Sequence, residues 1–352
     1  MKIALITDTH FGARSDNLTF DGFFRDFYTH VFFPTLEKNN IDTIIHLGDI
    51  FDRRKYINFN TLKNCREYFF DELQRRGIFM HLLVGNHDTF FKNTNDVNSP
   101  GLLLDSYDNI KCYAEPFELV GLKDNILLMP WICSDNYQQC MDMIERTEAK
   151  RLFGHLEIAG FVMHRGQESE GGFDPKIFAK FEQVFSGHFH HRSTKGNITY
   201  LGNPYEMTWN DYDDPRGFHL YDTKTHELEF IENPYRMFHR IVYDDSNDIN
   251  KNMELSNLKE RMVKLVVANK TDFSEFDRFV DRLYAQNPLE LKIIEDFSEF
   301  ESEALDEENL NLEDTMTLLS QYVDSLETDA NKDRIKTILK TLYVEAQDYE
   351  GA

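Results

Sequence analysis

Five short segments of this 352-residue chain carry the residue types that bind metals and move protons, and each closes an apolar run. They are Asp8-Thr9-His10, Gly48-Asp49 within GDIFD, Asn86-His87-Asp88 within GNHD, Gly154-His155, and His188-Phe189-His190 within GHFH. Asp8 and Asp49 offer carboxylates, His10, His155, His188 and His190 imidazoles, and Asn86 an amide oxygen. No thiolate is among them, which argues against a closed structural zinc site and suits two divalent first-row ions such as manganese, iron or zinc. An aspartate placed centrally in such a set can bridge ions roughly 3.5–4 Å apart, an arrangement that activates water and stabilises phosphoryl displacement. A lone D-x-H or G-D says little. GNHD and GHFH following them in this order say much more.

Only a folded sheet can gather segments so far apart. Apolar runs at 2–7, 42–47 and 78–84 read as strands, and the stretches 20–38 and 59–76 between them as helices. That alternation implies βαβ units, and ligands of α/β sheets bind at the carboxyl ends of strands, where all five segments fall. Gly48, Gly85, Gly154 and Gly187 precede the polar residue in four of them, permitting a sharp exit and close backbone approach. Further strands are expected at 125–129, 151–153, 160–163, 183–185, 198–201, 217–221 and 227–231, which fits an α/β two-sheet sandwich flanked by helices.

Past Asn233-Pro234 the pattern changes. A strand at 237–244, a helical piece near Glu254, a strand at 262–268, a helix at 273–285 and a strand at 289–294 describe a small α/β domain. From Glu295 the chain is acidic, without Lys or Arg until Lys332. Leu312, Met316, Leu319, Val323 and Leu326, then Ile335, Ile338, Leu339 and Leu342, recur at helical spacing and predict an amphipathic hairpin. It either packs on its own body or docks a partner.

Composition bounds the function. A hydrophobic fraction of 41% with 14% aromatics excludes a disordered chain. The net charge of −24 has the wrong sign for non-specific nucleic-acid affinity, so a DNA substrate requires locally supplied positive charge. Cys65, Cys112, Cys133 and Cys140 form no C-x-x-C pair and read as thiols of a reducing cytoplasm. No apolar run approaches a membrane span, and MKIALITDTHFG reads as a buried strand rather than a signal peptide. There is no G-x-x-x-x-G-K-[ST] loop for ATP.

The ordered set D-x-H, G-D, GNHD, a lone histidine and G-H-x-H resembles the signature of the calcineurin-like metallophosphoesterases. The resemblance implies that Asp8, His10 and His190 bind one metal, that Asn86, His155 and His188 bind the other, and that Asp49 bridges them. It further implies that His87 is no ligand but stabilises the transition state or protonates the leaving oxygen, with Asp88 hydrogen-bonded to orient it. Histidine suits that task because small environmental shifts bring its pKa to working pH. His30, His46, His81, His164, His191, His219, His226 and His239 read as core or surface histidines without a catalytic role.

Within that family GDIFDRR is similar to the G-D-x-x-D-R-G stretch of protein phosphatases, but Asp88 stands where those have Glu and Arg54 where they have Gly. The longer match is to SbcD-type DNA repair nucleases, through GDIFD, VGNHD, Met129-Pro130-Trp131, GHFH and GNPYEMT at 202–208. DDPRGF at 213–218 and the MPW segment look most like the nuclease subunits of tailed-phage recombination complexes. This resemblance implies a nuclease domain over 1–235, a DNA-orienting capping domain over 236–295, and over 296–352 an acidic linker with partner-binding helices. It also implies two manganese ions, with magnesium as the alternative, and hydrolysis without a covalent enzyme intermediate. The expected activities are exonuclease on duplex ends and endonuclease on single strands, in double-strand-break repair and recombination. The partners implied are DNA, an SbcC-type SMC-like ATPase bound by the C-terminal helices, and a second copy of the chain. Location would be cytoplasmic, in the host if phage-encoded. For the dimer, Phe23, Phe24, Phe27 and Phe32 offer a candidate face that reads equally well as core. A phosphatase of the same fold and a non-catalytic scaffold are the competing readings.

Overall fold

A computed structural model describes residues 1–120, 124–164, 167–169, 171–246, 250, 253–295 and 332. Two six-stranded sheets dominate it. The first contains β1 (Lys2–Ile6), β2 (Thr43–His46), β3 (Phe79–Leu83) and β4 (Ile110–Tyr113). The second contains β5 (Phe117–Leu119), β6 (Ile126–Met129) and β7 (Arg151–His155). After a two-stranded ribbon, β8 (Val162–His164) and β9 (Gln167–Glu168), the second sheet resumes with β10 (Gln183–Gly187), β11 (Ser193–Lys195) and β12 (Ile198–Tyr200). The chain then returns to the first sheet as β13 (Gly217–Asp222) and β14 (Leu228–Glu232). The strand orders are β14-β13-β1-β2-β3-β4 and β11-β12-β10-β7-β6-β5. β1 to β4 run parallel, as do β6, β7, β10 and β12.

Side-chain alternation in the parallel strands divides two cores. Ile3 and Leu5 of β1 face the layer between the sheets with Ile45, Leu83, Leu128, Phe153 and Phe185. Ala4 and Ile6 face outward into an aromatic layer with Phe11, Phe24, Phe27, Phe32 and Phe69. Strands buried on both faces read as continuous apolar runs, which is why 2–7, 42–47 and 78–84 are so legible.

The outer aromatic layer comes from two long helical stretches. Asn17 caps the first, accepting hydrogen bonds from Thr19 N and Phe20 N, and Leu18–Phe27 continues through a π-helical turn at Tyr28–Phe32 into Phe33–Lys38. Phe59–Cys65, Arg66–Phe70 and Asp71–Arg75 repeat that design. Phe23, Phe24, Phe27 and Phe32 are each at most 2% exposed, so this face is core and not a dimer surface. Fully burying one such ring contributes roughly 1.5–3 kcal/mol.

The short strands β4, β5 and β11 and the helices Ser99–Leu104 and Tyr137–Arg146 have no counterpart in the sequence reading. Near Glu254 the structure has a 3₁₀ turn at Ser256–Leu258. β15 (Phe238–Asp244), β16 (Met262–Asn269) and β17 (Glu290–Ile294) form a separate three-stranded sheet, and Phe273–Tyr284 is helical. The chain divides into two compact units. Among the described residues, one comprises those of 1–239, 254–263 and 280–291, and the other 240–246, 250, 253, 264–279, 292–295 and 332. In the second, the Tyr243 ring meets Phe276 and Phe279 at 5.0 and 5.3 Å. The hairpin expected over 311–347 lies outside the described residues. No described helix is long and apolar enough to cross a membrane.

Candidate metal centre

Asp8 and His10 leave β1, Asp49 follows β2, Asn86 follows β3, His155 ends β7, and His188 and His190 follow β10. The backbone bends sharply at these exits. Asp8, His10, Asp49 and His188 take φ of 52, 41, 54 and 86°, a region that non-glycine residues rarely occupy. Strain of this kind persists only where its surroundings over-determine it. Gly187 shows how close the packing is: a Cβ there would stand 2.0 Å from Thr7 Oγ1 and 3.0 Å from Asp8 Oδ2.

Two clusters result. Asp8, His10 and His190 form one, and Asp49, His155 and His188 the other, each with ligand atoms within 4.8 Å of one another. In the first, His10 Nε2 lies 3.1 Å from His190 Nε2. In the second, Asn86 Oδ1 lies 2.9 Å from both His155 Nε2 and His188 Nδ1. Asp49 Oδ2 sits between the clusters, 3.2 Å from His155 Nε2 and 3.8 Å from His10 Nε2. The structure thus brings together all seven residues expected to hold metal.

The donor chemistry fits cations. His155 Nδ1 lies 2.7 Å from Leu47 O, so it carries the proton and donates. When the ring is neutral, its Nε2 lone pair faces the Asn86 and Asp49 oxygens. Acceptors converging on acceptors need a positive charge among them, supplied by a proton or a metal ion. Fixing the tautomer through the second ring nitrogen is how metal-binding histidines are held. The electrostatics tell the same story. Burial, reinforced by Asp49 and only partly offset by His155, pushes Asp8 up to about 7. Burial opposes charge on His155, but Asp49 and Asp8 outweigh it and raise the ring to about 9. Burial likewise works against ionised Asp49, yet His155, His87 and His10 hold it well below the usual carboxylate range. Burial lowers both His10 and His188 to about 3, leaving neutral rings with a lone pair to give.

His87 and Asp88 behave differently from each other. The ring of His87 lies edge-on to His10, with centroids 5.0 Å apart. Its backbone N–H donates to Asp49 Oδ1 at 2.7 Å, and its Nδ1 lies 2.8 Å from Asp52 O. Burial disfavours the charged ring, but Asp49 and the carbonyl and carboxylate of Asp52 overcome it and raise its pKa. Asp88 does not orient His87, contrary to expectation. Its carboxylate accepts from Gly85 N and Asp49 N at 2.9 Å, Ile50 N at 3.0 Å and Phe51 N at 3.3 Å. A carboxylate completing four backbone N–H groups has no geometry left for the neighbouring ring, so Asp88 ties the GNHD turn to the GDIFD turn instead.

The orienting group is Asp52, which the sequence reading passed over although it ends GDIFD itself. Besides its carbonyl on His87, its Oδ1 lies 3.7 Å from His10 Nδ1. Other supports lie near. Thr7 Oγ1 donates to Asp8 Oδ2 at 2.7 Å. His46 accepts from Gly48 N at its Nδ1 and meets Thr9 Oγ1 at its Nε2, so it is a satisfied core histidine as expected. Trp131 stands 5.1 Å from the His188 ring. His191 Nδ1 pairs with Asp214 Oδ2 at 2.7 Å, while the side chain of His164 lies outside the described residues.

Fold and site together define a dinuclear metal hydrolase. A family model described as Calcineurin-like phosphoesterase matches residues 1–192. Exonuclease subunit 1 of Enterobacteria phage T4 is 33% identical over 350 residues, covering 98% of this chain and 99% of that one. The chain therefore belongs to the calcineurin-like phosphoesterase family and is a metal-dependent phosphoesterase with a dinuclear divalent centre. The DNA double-strand break repair protein Mre11 of Sulfurisphaera tokodaii is 26% identical over 208 residues, 54% of this chain and 49% of that one. Among solved structures, a dimetal phosphatase from Danio rerio covers 62% of this chain and 91% of its own at 12% identity, with a TM-score of 0.36. That likeness is too loose to inform function.

Proposed function

We propose that the chain is a DNA nuclease that hydrolyses phosphodiesters with two manganese ions, as the nuclease subunit of a repair and recombination complex. The observation that carries the chemistry is the convergence of two ligand clusters around Asp49 with the His87 ring beside them. Full-length similarity to a phage exonuclease subunit, and partial similarity to a double-strand break repair protein, support DNA as the substrate. Asp8, His10 and His190 would hold one ion and Asn86, His155 and His188 the other, with Asp49 shared. When bound, the ions supply Lewis-acid charge to the phosphoryl oxygens and lower the pKa of water. With Nδ1 engaged by Asp52 O, the His87 ring presents Nε2 as the nitrogen that delivers a proton to the leaving oxygen. Asp52 and Asp49 raise its proton affinity, which suits that task.

Local charge supports DNA binding in an otherwise acidic chain. Arg53, Arg54 and Lys55, with Tyr56 and Phe90, line a groove of about 170 Å³ beginning next to Asp52. Lys55, Tyr56 and Phe90 are exposed while Arg53 and Arg54 are half-buried, Arg53 pairing with Asp16 at 3.0 Å. Cations beside rings in one groove suit a single strand, through phosphate contacts and base stacking. Exonuclease action on duplex ends and endonuclease action on single strands belong to the same reading. A homodimer would use the helix Phe59–Cys65, where Phe59 is 88% exposed. An SMC-like ATPase would bind the segment 311–347, and residues 236–295 would help orient DNA. The complex would act in the cytoplasm of its host.

Cleavage of labelled linear duplex and single-stranded DNA with manganese tests the reading. Metal-dependent cutting by the wild type, lost in His87→Ser, is expected. No cutting of either DNA, alongside hydrolysis of a simple phosphate ester, would replace the nuclease with a phosphatase.

A further inference from the structure

The carbonyl of His190 is gripped by one buried cation. Arg216, 3% exposed, donates from Nη1 to His190 O and to Asn203 Oδ1. Its Nη2 lies 2.9 Å from Asp211 Oδ1 and 2.8 Å from Asp214 Oδ2. Asp211 is itself pinned, its Oδ2 accepting from Met207 N at 2.7 Å and Thr208 N at 2.8 Å. The same His190 carbonyl accepts from Asn203 N at 3.3 Å, and a Cβ on Gly202, where φ is +73°, would stand 2.8 Å from it. The GNPYEMT and DDPRGF segments therefore close on a single backbone atom of a candidate ligand.

We propose that Arg216 is a positioning residue that sets the divalent-cation affinity of the Asp8–His10–His190 cluster. Its guanidinium is buried against two carboxylates, so it contributes no charge to a substrate. What it fixes is the backbone of His190, and hence the ring whose Nε2 lies 3.1 Å from His10 Nε2. Partners that orient ligands typically change metal affinity about 10–100-fold when altered. The second cluster, carried by β2, β3 and β7 together with His188, is not among the hydrogen-bond or ion-pair partners of Arg216 and would be left in place. The inference rests on the reading that each cluster holds an ion.

The test is a manganese titration of the metal-free full-length protein by calorimetry, with electron paramagnetic resonance reporting coupling between two bound ions. Arg216→Lys keeps the charge among Asp211 and Asp214 but cannot bridge His190 O and Asn203 Oδ1 as the planar fork does. One ion should bind at least about tenfold more weakly in this variant, with loss of the coupled signal, while the other binds as in the wild type. Gly202→Ala, whose Cβ would push on the same carbonyl without altering the Arg216, Asp211 or Asp214 side chains, should produce the same selective loss and decides the matter if Arg216→Lys does not fold. Unchanged affinity for both ions, or equal weakening of both, overturns the positioning role. A wild type that takes up fewer than two ions would instead bring down the two-ion reading beneath it.

Discussion

The amide oxygen of Asn86 lies 2.9 Å from His155 Nε2 and 2.9 Å from His188 Nδ1, joining residues 69 and 102 positions away in the chain. With a cation among them, this oxygen and the two ring nitrogens would serve as three converging donors of lone pairs, and the neutral amide adds no negative charge. Asn86→Ala should therefore weaken one ion selectively. Metal content after dialysis against limiting manganese should fall from two ions towards one, with cleavage down at least about tenfold. Retention of both ions at wild-type affinity would refute this ligand role.

His87 should separate chemistry from binding. Its ring contacts the Asp52 carbonyl and belongs to neither ligand cluster, so His87→Ser should keep both ions while turnover falls about 10²–10⁴-fold, the usual contribution of a general acid. Loss of metal in this variant would show that the ring supports the ions.

Asp88 is expected to matter for folding more than for proton transfer. Asp88→Asn places an NH₂ group against one pair of the four N–H donors it accepts, leaving buried donors unpaired at about 1–3 kcal/mol. Denaturant unfolding of the metal-free protein should register that loss. A variant as stable as wild type would mean that the two turns are held by other contacts.

Glu206 supplies a pH test remote from the metal ligands. Burial raises its carboxyl to about 7, despite hydrogen bonds from Phe238 N and Met237 N. The folded state therefore prefers the protonated acid. This stabilisation is complete below the unfolded value near 4.5 and is lost as pH rises through about 7. Glu206→Gln removes the dependence, so the variant should gain on wild type between pH 5 and pH 8, by roughly 2–3 kcal/mol at most. Both proteins share every other titrating group, so the difference isolates this one. A pH-independent gap in unfolding free energy would show that Glu206 is ionised throughout.

Much of the site was legible before any folding was considered. An apolar strand, a glycine and a metal-binding residue are adjacent in the chain, and strand ends are where an α/β sheet presents its ligands. Asp8, His10, Asp49, Asn86, His155, His188 and His190 could thus be picked out by type and position. The strands of the parallel sheets were equally legible because they are apolar on both faces. Short edge strands such as β5 and β11 were not, since three residues at a sheet margin carry no periodicity.

The sequence by itself determined which residues were available for chemistry and which strand ends would carry them, because both are written in neighbouring residues. Only the tertiary structure decided their partners. Asp88 turned to four backbone N–H groups, and His87 took the carbonyl of Asp52, because hydrogen-bond geometry depends on where two loops meet. The row of Phe23, Phe24, Phe27 and Phe32 became core for a similar reason. An apolar helix face looks the same in sequence whether it packs on its own sheet or on another molecule, and only the sheet beneath it settles which.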